Sequence, residues 1–203
     1  TVTAAAGFDI NNLTIGNDLA ITAAGAITQT TAVTVPGNTS LTAGSNPITL
    51  TLTNDFGGPV TVPSASDVSL NDSNALDLAA ITASGNLTVT AGGDLTINGT
   101  QAITGEADYA AANLAVDAAI GAANAALNAT AGDITGTGLI TTAGVTANAT
   151  GSIALNLSAA SLSAAAGTGI TATDTDALVL ETVSSTTGLA SISSGGTLTV
   201  NGS

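Results

Sequence analysis

Two pairs of carboxylates stand close enough in this chain to suggest chemistry. In "TATDTDALVLE" Asp174 and Asp176 lie two positions apart, and in "LNDSNALDL" Asp72 and Asp77 flank a short polar phrase. On a strand, residues i and i+2 share a face, so Asp174 and Asp176 would stand together as acid and base, and glycoside hydrolysis needs little more than two carboxyl groups. The plainer reading is a polar turn before an apolar run, here Ala177 to Leu180. Other catalytic sets fail on composition. The chain has no His, Cys, Lys or Arg, which removes the serine triad, the serine–lysine dyad and the basic residue of a lyase. No enzyme is expected.

Calcium suits these residues better, because carboxylates, Asn side chains and turn carbonyls are its oxygen ligands. The candidate ligands are Asp72 in "NDSN" and Asp174 and Asp176 in "TDTD". Neither phrase matches an EF-hand loop or a glycine-rich calcium nonapeptide, and solvated turns account for both. No other cofactor is expected. "AGGD", Ala91 to Asp94, lacks the Lys and the following helix of a phosphate loop and reads as turn glycines.

The charge balance narrows the partners. Fourteen acids stand unopposed in 203 residues, for a net charge of −14. Phosphate recognition rests on Lys and Arg, so nucleic acid is excluded. Apolar runs are short and broken by Thr, Asn and Gly, so no membrane span is expected. The composition, 44% hydrophobic and 7% charged, is that of a chain that folds. With neither an initiator Met nor a signal peptide, residues 1–203 are expected to form one segment of a larger protein or fibre.

What must position these residues is a succession of short strands. From Thr1 to Thr104 phrases such as "NLTIG", "AVTV", "PITLTLT", "DVSL" and "NLTVTA" alternate apolar and hydroxyl residues, and Gly, Asn, Asp or Pro separate them. Period two bounded by turn residues reads as strand. Three such strands make a rung of about 20 residues, in the range of solenoid repeats. The expected fold is all-β, a parallel β-helix of about ten rungs and about 50 Å in length. Stacking explains the composition: each residue sits about 4.8 Å from its counterpart in the next rung, where like charges repel. Thr, Ser and Asn therefore replace charge outside, and turn Asn residues can form hydrogen-bonded ladders.

One stretch departs from this pattern. "GEADYAAANLAVDAAIGAANAALNATAG", Gly105 to Gly132, has few β-branched residues, and Tyr109, Val116, Ile120 and Leu127 are spaced by 7, 4 and 7. That spacing predicts a helix over about Ala107 to Asn128, within an insertion spanning 106–131. Elsewhere "GGDLTINGT", Gly92 to Thr100, returns as "GGTLTVNGS", Gly195 to Ser203. The two copies are expected to form the same wall of two rungs about five turns apart.

The phrases "NDFGG" at Asn54 to Gly58, "VSLNDSNALDL" at Val68 to Leu78 and "GNLTVTAGG" at Gly85 to Gly93 resemble the β-strand repeat regions of filamentous-haemagglutinin-like exoproteins and adhesins of Gram-negative bacteria. The resemblance implies a right-handed β-helix shaft, extracellular or on the cell surface, that displays adhesive or toxic modules carried elsewhere. Lack of every basic residue departs from that family. The expected function is a structural and adhesive, non-catalytic shaft. Its expected partners are further segments or subunits of the same fibre, end to end, and host or environmental glycans. Two alternatives remain: a polysaccharide-binding or hydrolysing protein using the paired carboxylates, and an ice or surface binder using Thr-x-Thr rows such as Thr49 and Thr51, Thr88 and Thr90, or Thr171 and Thr173.

Overall fold

The period-two phrases fold into a parallel β-solenoid of about ten turns. A computed structural model describes residues 1–201. Every strand pairing among these residues is parallel and joins a rung to the next, as in Val2 on Ile21, Leu87 on Ala107 and Leu178 on Leu198. A typical rung contributes three strands, Leu87–Ala91, Leu95–Ile97 and Gln101–Ile103. The first stacks on Glu106–Ala111, the second on Leu114–Val116 and the third on Ile120–Gly121. The walls containing Leu95, Gln101 and Leu87 are called here walls one, two and three.

Alternation decides which side chains face inward. In Leu87–Ala91 residues 87, 89 and 91 are buried and Thr88 and Thr90 exposed. The inward residues stack in columns, one of which runs Leu50, Leu70, Val89, Tyr109, Leu127, Ala147, Ala164. Fully burying one aliphatic side chain stabilises by about 1.5–3 kcal/mol, so the columns supply the main drive for stacking.

The expected helix is absent; no helix occurs among the described residues. The segment 106–131 forms ordinary rungs through Glu106–Ala111, Leu114–Val116, Ile120–Gly121 and Asn124–Ala129. Tyr109 and Leu127 are counterparts in one column, so their separation is a rung length. Val116 and Ile120 belong to walls one and two. Part of the alanine there is one column position repeated from rung to rung, Ala111, Ala129, Ala149 and Ala166 at the end of wall three.

Rung length varies along the stack. Thr34 pairs with Asp55, a turn of 21 residues, whereas Ser152 pairs with Gly169, a turn of 17. In that narrow part all three walls run together in the single strand Ser152–Ala166, and Ala159, Ala164 and Ala166 line the core. No acid falls between Ile134 and Thr173, so this waist is also uncharged.

Candidate functional site: buried acids and corner ladders

The paired carboxylates do not share a face. Asp174 is buried and Asp176, beyond the end of strand Gly169–Asp174, is exposed. The Asp174 Oδ2 accepts the Ala159 N–H at 2.9 Å and its Oδ1 the Asp176 N–H at 2.7 Å. Asp176 Oδ2 accepts the Ser158 hydroxyl at 2.8 Å. Asp72 is likewise buried, and its Oδ1 accepts the Phe56 N–H at 3.2 Å and the Ser73 N–H at 2.9 Å. Asp77 points outward, where its Oδ1 accepts the Asn98 amide at 2.6 Å. Burial pushes the Asp72 carboxyl above its ordinary 3.8, with amide hydrogen bonds offsetting part of the effect.

Amide N–H groups therefore occupy directions from which a cation would approach the Asp72 Oδ1 and both Asp174 oxygens. Donors of that kind meet the hydrogen-bonding capacity of a buried carboxyl oxygen within the protein. Among the described residues, no three acids come together in a way that would hold a metal ion.

The two buried acids answer the repeated nonapeptide. Gly92 N donates to Asp72 O and Gly93 N to Asn74 O; one cassette later Gly195 N donates to Asp174 O and Gly196 N to Asp176 O. A side chain at Gly93 or Gly196 would come within 2.9 Å of the backbone nitrogen of Ala75 or Ala177. The repeat is thus the upper half of a two-rung cassette, "DSNALDL" or "DTDALVL" below and "GG-LT" above, with Leu76 on Leu95 and Leu178 on Leu198. Its copies do not occupy one wall, contrary to expectation. The column from Leu95 passes through Leu114, Ile134, Ile153 and Ile170 to Ala190. Val200, by contrast, lies above Leu180 and Leu162, in the column of Leu87 on wall three. Gly202 and Ser203 lie outside the described residues.

The remaining turn acids and amides form ladders at the corners. Asp133 N donates to Asn113 Oδ1 at 3.0 Å, Asn113 Nδ2 to Asp94 Oδ1 at 2.7 Å, and Ser152 N to Asp133 Oδ1 at 2.6 Å. The Ser152 N–H and hydroxyl hold the Asp133 carboxyl below its ordinary range. At the next corner Asn86 N donates to Asp67 Oδ1 at 2.8 Å and Glu106 N to Asn86 Oδ1 at 2.9 Å. The ladder also dictates the glycines beside it. A Cβ at Gly85, Gly105 or Gly132 would meet the side-chain oxygen of Asp67, Asn86 or Asn113. The recurrent Gly-Asn and Gly-Asp dipeptides are the sequence trace of this device, legible once the rung length is known.

Sequence reasoning missed the buried amides. Gln101 interrupts the wall-two column between Ile81 and Ile120 and donates from Nε2 to Ala79 O at 2.8 Å and Gly99 O at 2.6 Å. Asn54 Oδ1 accepts the Val33 N–H at 3.0 Å and the Gln29 amide at 2.7 Å. Both satisfy backbone groups where the chain turns a corner. The threonine rows are discontinuous: Thr49 runs in line with Ser69 and Thr88, but the row continues as Asp108 and Ala126, and Thr171 lies between Ala154 and Ser191.

A family model described as repeats of unknown function (DUF5649) matches residues 1–63 and 65–119. No curated protein and no solved structure matches the chain.

Proposed function

The chain belongs to the DUF5649 family of repeats of unknown function, and we propose that it is a structural and adhesive, non-catalytic shaft in a secreted surface fibre of a Gram-negative bacterium. One observation supports this above others. The candidate buried acids and the corner acids are engaged by the neighbouring rung: Asp72 by Phe56, Asp174 by Ala159, Asp94 by Asn113 and Asp133 by Ser152. The parallel ladder they reinforce carries tension along the axis through rung-to-rung contacts, and repeats of this kind add length by nearest-neighbour stacking. Further rungs of the same fibre are the axial partners in this reading, and glycans are the lateral ones.

Labelling of intact cells with antibody raised against residues 1–203 tests it, together with electron microscopy of the native protein. Surface label on unpermeabilised cells and rod-shaped particles are expected. Label that appears only after permeabilisation, or turnover of a glycan abolished by Asp174→Asn, would overturn it.

A further inference from the structure

Wall three has a notch at its leading edge. Glu106 pairs with Asn124, Asn124 with Gly144 and Gly144 with Ser161, so one position in this corner row carries no side chain. A groove of about 340 Å³ opens there, within the size range of small-molecule sites. Its polar groups converge on the empty position. Asn124 Nδ2 donates to Glu106 Oε1 at 3.0 Å, which fixes the amide. A Cβ built on Gly144 would lie 3.1 Å from Asn124 Oδ1 and 3.0 Å from Ser161 Oγ. Thr146 and Ser163, stacked on each other, line the same groove, and Ala126 adds an apolar patch.

We propose that this notch binds a neutral sugar residue of a glycan. One carboxylate, one oriented amide oxygen and three hydroxyls match the alternating donors and acceptors of a pyranose ring, whose C–H face would rest on Ala126. A net charge of −14 disfavours an anionic sugar, and the groove opens onto the uncharged waist. The inference rests on the adhesive reading above and names the chemistry of one contact point.

The test titrates the whole chain with neutral probes, namely hexamers of cellulose, mannan and chitin, and with a polygalacturonate hexamer as the anionic control. Calorimetry and saturation-transfer NMR report binding. One neutral probe should bind, and Gly144→Thr, which fills the notch, and Asn124→Ala should each weaken it by about tenfold or more, with the thermal midpoint recorded for each variant. Asn124→Gln, which keeps the amide, should lose less than Asn124→Ala, and this separates recognition from loss of fold. Binding retained by both variants would overturn the site and leave the adhesive shaft standing. Failure of every neutral probe, or preference for polygalacturonate, would overturn it as well, while surface labelling judges the shaft independently.

Discussion

Asp72 and Asp174 hold the same post on different walls: each turns its carboxylate back to the rung below, Asp72 onto the Phe56 N–H at 3.2 Å and Asp174 onto the Ala159 N–H at 2.9 Å. Each also accepts a second N–H just ahead of it in the chain, from Ser73 or Asp176. Each acid is the last residue of its strand, Val68–Asp72 or Gly169–Asp174, and supplies an acceptor to an N–H of the rung below. A buried donor left unpaired costs about 1–3 kcal/mol. Asp72→Ala and Asp174→Ala should each lower unfolding free energy by roughly that amount, measured by urea titration, and the Asn variants, which keep an acceptor, by less. Equal losses in Ala and Asn would contradict the capping role.

Acid should act on the two kinds of carboxyl in opposite senses. Burial raises Asp72 above 3.8, so its contribution is fully present below 3.8 and is lost as pH rises through the folded value. Asp133 is lowered by Ser152; its contribution is present above 3.8 and is lost as pH falls through the folded value. Unfolding free energies of the parent chain minus Asp72→Asn should shift in favour of the parent on acidification from neutral pH. The corresponding difference for Asp133→Asn should shift the other way. Parallel curves would refute the assignment.

Tyr109 carries a cost. Its hydroxyl is buried without a hydrogen-bond partner, and burial, with Asp108 nearby, pushes its pKa well above the ordinary tyrosine value. Tyr109→Phe keeps the ring that fills the column between Val89 and Leu127. The variant should be more stable by about 1 kcal/mol, read as a higher denaturation midpoint at unchanged slope.

Glycines divide by what lies beneath them. Gly99 packs against the backbone of Ala79 and Ala80, at the bend between walls one and two, whereas nothing lies within 4 Å of a Cβ at Gly16. Gly99→Ala should cost about 1–3 kcal/mol, since backbone must move to relieve the contact. Gly16→Ala should be neutral or stabilising by about 0.4–1 kcal/mol through the unfolded chain. Thermal melts of the pair decide it.

The fold was legible because alternation is local. "NLTVTA" announces a half-buried strand without knowledge of its partner, and uncharged outer residues announce stacking. The helix misreading at 106–131 has the same root: Tyr109 and Leu127 are repeats of one column position, and a rung of 18 residues is also five helical turns. Ala, a good helix former, recurs there as one column position at the end of wall three. The candidate site was not legible, because its members are rung neighbours. Glu106, Asn124, Gly144 and Ser161 become one row only once each rung length is fixed, and those lengths vary from 17 to 22 residues.

The cassette that recurs on a different wall shows what fixes its position. Its requirements are met by the rung directly below, through Gly92 on Asp72 and Gly195 on Asp174, and by nothing peculiar to one side of the triangle. The two copies therefore stand a non-integral number of turns apart, Leu95 on wall one and Val200 on wall three. The cassette is thus a unit of stacking rather than of any one wall, and its phase around the axis is free while its contact with the rung below is fixed.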